Sequence, residues 1–492
     1  MRMGLFARLA PLLLSLAVGA AAAQDDAARQ VLQNAAEAMG GLQRLRSIDN
    51  VVLTGFGQSL NQQGGGNLTS NPRAPSKLQT ITDAERVLDL RNGRAVYRSR
   101  VRTVFPFAAD RNSSRTNQLQ TGLAMLDHPL PALLAALAPD TTLGAVRAED
   151  NLLAVEFTIA AGDTLWLGVD PNTHLPAWLR WIAGDNALGD VTHTAYFTGY
   201  LPFDDVWLPV GLVTAIDWRD TTVSELHVDS YRIDVDDIGP MPEPGGALGG
   251  GNAQAEATQL AEGVWDVRVG GNGGAVIEFE DHLTMFEAYA SEAATFARLD
   301  LANTLVPGKA VTEVIVSHHH FDHSGGLRAA VARGLTVISH RGNEQIFREM
   351  VARPAPNFPD ALARNPRPLK FVPVDEHLIL QDAMARVDVY HAVGHLHMAE
   401  AVFAYVPEHR MFLEGDFTTF NWDWHWWGDA YLDSVERYGL EPAINVPVHG
   451  IVTTFDEAVA SIQEQVARAR QHCAEQARVG VFPAGCPVRY SR

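Results

Sequence analysis

Residues 317–326 read Ser317-His318-His319-His320-Phe321-Asp322-His323-Ser324-Gly325-Gly326. Three imidazoles and a carboxylate stand in the pattern His-x-His-x-Asp-His. The apolar run 311–316 before them reads as a buried strand, and residues 325–333 after them read as the start of a helix. Alternate residues of an extended segment point the same way, so His318 and His320 can grip one metal together. Asp322 and His323 lie beyond the bend and can face a second metal. Neutral imidazole and carboxylate are the ligands that zinc accepts in catalytic sites. A surface histidine run without metal is the plain alternative; in the metal reading His319 is a spacer.

Three further stretches could complete such a site. Gly394-His395-Leu396-His397 precedes an apolar run at 401–406. Phe412-Leu413-Glu414-Gly415-Asp416 ends a second apolar run, and Val446-Pro447-Val448-His449-Gly450 follows a third. Each candidate ligand sits at a strand edge, where a rigid sheet can hold it. Alone, a Gly-Asp pair is a turn and a lone histidine is a structural residue. Their succession after the first motif favours a ligand set.

This set resembles the metallo-β-lactamase superfamily, in the widened form of the glyoxalase II-like hydrolases. The resemblance covers the C-terminal half of the chain. It implies that His318, His320 and His395 bind the first of two zinc ions. Asp322, His323 and His449 then bind the second, and Asp416 bridges. His395 is preferred to His397 because it directly follows Gly394, although Leu396 stands where the family usually has Ser or Thr. Glu287 takes a place where the family often has Asp, and is expected to support the first motif from behind. The implied fold is a four-layer αββα sandwich with the site at one end of paired sheets. The implied activity is that of an exported dinuclear zinc hydrolase. In it a metal-bound hydroxide, oriented by Asp322 and Asp416, cleaves an ester, thioester, lactone or amide. Iron or manganese could replace zinc. A true β-lactamase fits less well, because those enzymes generally lack the carboxylate that Asp416 supplies. Two other readings stay open: a mononuclear iron dioxygenase of the same fold, and a binding protein for a lipid-like ligand.

The chain has 492 residues, with 38 basic and 58 acidic side chains and a formal charge of −20. That balance argues against nucleic acid or an anionic membrane as the main partner and leaves a small-molecule substrate. Arg2 and Arg8 make a positive region before a short apolar core at 9–18, and Ala21-Ala22-Ala23 precedes Gln24. This reads as a secretory signal over residues 1–23, too short to span a membrane comfortably. A periplasmic or secreted location is therefore expected. In that setting a disulfide between Cys473 and Cys486 is plausible.

Residues 24–238 carry short alternating runs separated by Gly, Asn, Asp and Pro, which is the texture of antiparallel sheet. A helix is expected within 27–39, and a helical insert at 118–137. The texture weakly resembles the curved half-barrel of lipoprotein-carrier proteins. Residues 239–254, rich in Gly and Pro, read as a linker. From 255 to 492, strands alternate with helices, as in a layered domain. The overall class is α+β with two domains. The segment 420–427, with four tryptophans, is read either as lining the site or as packing the domains together.

Overall fold

The computed structural model describes residues 10–60, 69–73, 78–102, 113–241, 254–418, 426–480 and 486. Alternation of apolar and polar residues after Asn50 builds one antiparallel sheet of eleven strands. These are β1 (Asn50–Leu60), β2 (Leu78–Asp89), β3 (Arg94–Arg102), β4 (Ser113–Thr121), β5 (Thr142–Glu149), β6 (Leu152–Thr158), β7 (Thr164–Val169), β8 (Pro176–Asp185), β9 (Gly189–Phe203), β10 (Val206–Ile216) and β11 (Thr221–Ile233). Their order is β4-β3-β2-β1-β11-β10-β9-β8-β7-β6-β5, so β4 and β5 are edges and no barrel closes. The pairing of β1 shifts register near Gly55 and Gly57, where β1 lies against β11. A Cβ on Gly57 would lie 1.9 Å from the Glu225 carbonyl oxygen, so only glycine permits this approach.

One face of the sheet is covered by helices α1 (Ala10–Met39) and α3 (Pro129–Ala136), with the short α2 (Leu42–Arg46) beside them. Ala28, Leu32, Ala35, Ala36 and Met39 of α1 share a core with Leu130 and Leu133 of α3 and with Phe157, Leu167 and Leu179 of the sheet. The helix expected at 27–39 is thus the end of a longer one. Among the described residues no helix is long and apolar enough to cross a membrane. The helical insert expected at 118–137 is corrected. Residues up to Thr121 pair with β3, and a short 3₁₀ turn, Gly122–Met125, follows. The helix starts only at Pro129, with His128 as its cap. Proline fits the first turn of a helix and breaks its interior, so Pro129 and Pro131 set the start.

The C-terminal half forms two further sheets. The first contains β12 (Ala255–Ala261), β13 (Val264–Val269), β14 (Ala275–Glu278), β15 (Leu283–Phe286), β16 (Val311–Ile315), β17 (Thr336–His340) and β18 (Lys370–Val374) in sequence order. The second contains β19 (His377–Gln381), β20 (Arg386–His391), β21 (Val402–Val406), β22 (Met411–Glu414), β23 (Ile444–Pro447) and β24 (Thr453–Thr454). The helices are α4 (Glu292–Leu305), α5 (Phe321–Ser324), α6 (Leu327–Ala332), α7 (Glu344–Ala352), α8 (Ala361–Arg364), α9 (Asp429–Tyr438) and α10 (Phe455–Arg478).

Strand periodicity assigns the layers. In β21, Val402, Ala404 and Val406 face Ile277, Phe286 and Ile315 of the other sheet, while Phe403 and Tyr405 turn outward to Tyr431, Ile462 and Val466 of α9 and α10. On the far side, Met285, Val314 and Val337 pack under Leu299, Leu327, Phe347 and Met350 from α4, α6 and α7. The result is helices, sheet, sheet, helices.

The two halves dock closely. Leu188, Val191, Ile216 and Trp218 of the N-terminal half, from strand ends and hairpin turns, enter the same core as Phe321, Phe347 and Met350. Arg353 donates to the carbonyls of Leu188 and Asp190, and the Asp190 carboxylate accepts from Asn357 and Phe358. Residues 242–253, inside the expected linker 239–254, lie outside the described residues.

Candidate metal centre

Buried strands β16, β22 and β23 all end at one edge of the paired sheets, and their following loops carry the polar residues. Ser317 to His320 leave β16, and α5 then turns the chain by a single helical turn. Gly325 and Gly326 let this turn sit against the loop after β15. A Cβ on Gly326 would lie 1.8 Å from Thr295 Oγ1 and 2.3 Å from the Ala288 carbonyl oxygen. Gly415, between β22 and Asp416, is confined in the same way, since its Cβ would lie 2.5 Å from Ser317 Oγ.

These loops gather two donor groups. The first is His318, His320, His397 and Asp416, all buried; the second is Asp322, His323, Asp416 and His449. Asp416 belongs to both and divides its oxygens. Its Oδ2 lies 2.9 Å from His397 Nε2 and 3.6 Å from His318 Nε2. Its Oδ1 lies 3.1 Å from His323 Nε2 and 3.3 Å from His449 Nε2. His318 Nε2 is 2.9 Å from His320 Nδ1, and Asp322 Oδ2 is 3.4 Å from His449 Nε2. Ligand atoms about 2.1 Å from a tetrahedral ion stand roughly 3.4 Å apart, which is the spacing these atoms keep. Asp322 Oδ1 is buried with no hydrogen-bond partner among the described residues, as a ligand oxygen awaiting a cation would be. The donor set therefore fits divalent metal.

His395 was expected in the first group and is not in it. Gly394, at φ +80, turns the chain there. The His395 ring swings against Phe417, with centroids 4.6 Å apart, and its Nδ1 accepts the backbone N–H of His397 at 3.2 Å. His395 thus braces the turn, and the first donor group contains His397 in its stead.

Several neighbours orient the donors. Glu287 is fully buried, with Oε1 3.3 Å from His323 Nδ1. Its backbone lies at φ +77, and Tyr289 lies at φ +65, a left-handed conformation that is costly for residues with side chains. Arg298, buried behind them, donates to the carbonyls of Phe286 and Glu287, and burial lowers its pKa to about 10. Asn272 Oδ1 lies 2.6 Å from His449 Nδ1, which turns Nε2 toward the second group. Trp427 donates its Nε1–H to the Asp416 carbonyl at 2.7 Å and stacks on the His397 ring at 4.7 Å. Residues 419–425, the rest of the aromatic segment, lie outside the described residues. His340 is in neither group; its ring lies tilted against that of His391, with centroids 4.2 Å apart.

Sequence reasoning missed Asn272, although its signal exists: it is the one side chain inside the run Gly270-Gly271-Asn272-Gly273-Gly274. It also missed Glu414, whose carboxyl accepts the backbone N–H groups of Phe417 and Thr418 and so shapes the Asp416 turn. Burial pushes the Glu414 carboxyl up to about 8.

Charge in the site is arranged by position. Burial, followed by the neighbouring His323 and His320, holds His318 well below the usual imidazole range, so it is a neutral donor. Burial also opposes charge on His323, but Asp416, Asp322 and Glu287 outweigh it and hold that ring well above the usual range. Burial opposes the negative charge of Asp416 too. There, His323 and the hydrogen bond from His397 prevail and keep the carboxylate ionised.

Residues 275–447 match the family model of the metallo-beta-lactamase superfamily. No curated protein matches the chain. Among solved structures, a metallo-beta-lactamase from Pontibacter korlensis is 16% identical, covers 44% of this chain and 99% of its own, and superposes with a TM-score of 0.35. DIM-1 metallo-beta-lactamase is 14% identical, with 44% and 98% covered and a TM-score of 0.35. FIM-1 from Pseudomonas aeruginosa, solved in a mono-zinc form, is 14% identical, with 44% and 97% covered and a TM-score of 0.34. The motif, the paired sheets and this match agree: across residues 275–447 the chain carries a domain of the metallo-beta-lactamase superfamily.

Proposed function

We propose that this protein is an exported hydrolase with a dinuclear zinc centre, acting on an ester, thioester, lactone or amide of a small molecule. The observation that carries the reading is the shared carboxylate. Asp416 turns one oxygen to each donor group, which is what a bridging ligand must do. In this reading His318, His320 and His397 hold one ion, and Asp322, His323 and His449 hold the other. Two such ions supply Lewis acidity and lower the pKa of water to about 7.

The chain's own residues supply the rest. Asp322 and His449 are each partly open to solvent, so substrate would reach the donors from their side. Asp322 accepts the proton-bearing side of the attacking water and fixes its orientation. Asp416, held ionised among imidazoles, keeps both donor groups in register. Glu287 and Asn272 fix the ring orientations of His323 and His449, so little reorganisation is left for the reaction. The Cys473–Cys486 disulfide, with its Cα atoms 5.7 Å apart, supports a location outside the cytoplasm, as does the signal-like N-terminus.

The test is metal analysis of the purified protein, followed by ester, lactone, thioester and β-lactam substrates. About two zinc ions per chain and zinc-dependent hydrolysis of at least one class are expected. An activity that requires iron and consumes oxygen would replace this reading with a dioxygenase.

A further inference from the structure

Residues 69–73, which stand between β1 and β2 in sequence, lie against the other domain. Ser70 is 2% exposed there. Its Oγ donates to the Gly342 carbonyl at 2.6 Å, and its backbone N–H donates to Glu400 Oε2 at 3.2 Å. Thr69 Oγ1 donates to Glu400 Oε1 at 2.5 Å. A local turn preforms this arrangement, for Asn71 N–H donates to Thr69 Oγ1 and Arg73 N–H to Asn71 Oδ1.

Glu400 stands three residues after His397 in the segment 392–401, which has no helix or strand of its own. Such a segment takes its shape from side-chain contacts. Three anchor its distal end. His391 Nε2 donates to the Ala399 carbonyl at 2.9 Å, Asn343 Nδ2 donates to the Glu400 carbonyl at 2.8 Å, and Thr69 and Ser70 hold the Glu400 carboxylate. The fit is close, since a Cβ on Gly342 would lie 2.5 Å from Glu400 Cγ. A second contact points the same way. Trp218 of the N-terminal half packs on Phe321, the residue between His320 and Asp322, with ring centroids 5.8 Å apart.

We propose that Glu400 is a positioning residue for His397, and that the N-terminal domain supplies the partners that hold it. The N-terminal domain is then a working part of the metal centre. Thr69 and Ser70 pin the loop that carries one donor, and Trp218 backs the motif that carries four others. This rests on the reading of His397 as a metal ligand.

The test uses the full chain with Thr69→Ala/Ser70→Ala, with Glu400→Gln, and with Thr69→Ser. Amide hydrogen exchange is followed in the metal-free protein, and zinc release to a chelator is followed in the zinc-loaded one. The double variant loses the Thr69 Oγ1 bond to Glu400 and the Ser70 Oγ bond to the neighbouring Gly342 carbonyl, and keeps the Ser70 N–H bond to Glu400. At about 1 kcal/mol for the bond to Glu400 itself, exchange over 392–401 accelerates roughly fivefold, and more if the loss at Gly342 also loosens the segment. Exchange in β16 and β22 stays as in the wild type. Release of one of the two zinc ions accelerates as well. Glu400→Gln gives a smaller effect in the same direction, and Thr69→Ser, which keeps the hydroxyl, behaves as wild type. Unchanged exchange over 392–401 overturns the proposal. Faster exchange with unchanged zinc release also overturns it, because the pin then serves only domain docking. A wild-type protein that takes up no zinc sinks the metal reading itself, a result the exchange data keep apart from failure of the pin.

Discussion

His397 and Asp416 meet at 2.9 Å, imidazole Nε2 to carboxylate Oδ2, although 19 positions separate them in sequence. Trp427 holds both, stacking on the ring of one and donating to the carbonyl of the other. The pair therefore joins the first donor group to the carboxylate that both groups share.

The contrast between two neighbouring histidines follows from this. His397→Ala should remove one of two bound metals and lower turnover by roughly a hundredfold or more, as loss of a positioned catalytic group does. His395→Ala removes a brace and keeps all donors, so both metals should remain, with a loss of roughly tenfold or less in turnover. Metal counts on the two purified variants decide it, and the reverse ranking would restore His395 as the ligand.

Asp322 faces only the second group. Asp322→Asn should cut hydrolysis by roughly a hundredfold or more while the first metal stays bound. The metal count should drop from two toward one per chain. Wild-type turnover in this variant would remove Asp322 from the chemistry.

Asn272 sets the orientation of His449 through a 2.6 Å contact. Asn272→Ala should weaken the second metal about ten- to a hundredfold, the usual effect of losing an outer partner of a ligand. Chelator competition at fixed pH measures it, and an unchanged affinity would mean that the β-bridge between residues 272 and 449 alone orients the ring.

Much of the donor grouping was legible because the donors repeat at fixed steps. His318 and His320 alternate on extended chain, and Asp322-His323 follow one helical turn; such short-range geometry is written in spacing. The choice between His395 and His397 was not. In extended backbone both rings point one way; here the chain bends at 396–397 and the His395 ring packs on Phe417, far along the chain. The layers were legible from strand periodicity, because buried strands bounded by turns read clearly. The insert at 118–137 misled, because Gln118 to Thr121 are drawn into pairing with β3, a tertiary preference that local propensity does not contain. Docking of Ser70 and Trp218 onto the metal domain left no local trace, since both look like ordinary loop or strand residues until the partner surface exists.

His128 makes the stability of the N-terminal domain depend on pH. Its Nδ1 accepts Leu130 N–H as the cap of α3, and its Nε2 lies 3.2 Å from the Tyr231 hydroxyl. Both contacts suit the neutral ring. Burial, and secondarily Arg86, hold its pKa well below the usual imidazole range. An unfolded imidazole titrates near about 6.5. Below that pH the unfolded chain takes up a proton that the folded chain refuses, so stability is full above about 6.5 and falls as pH drops toward the depressed folded value. The slope from this group is at most about 1.4 kcal/mol per pH unit. Urea unfolding at several pH values between about 7.5 and 5 should show a shallower loss for His128→Gln than for wild type. Equal slopes would contradict it.

The most direct test of the dinuclear account is an anomalous difference map, at the zinc edge, from crystals of zinc-reconstituted protein. Two peaks roughly 3.5–4 Å apart are predicted, with Asp416 between them. One should be bonded to His318, His320 and His397, and the other to Asp322, His323 and His449. A single peak away from Asp416, or none under saturating zinc, would contradict the account.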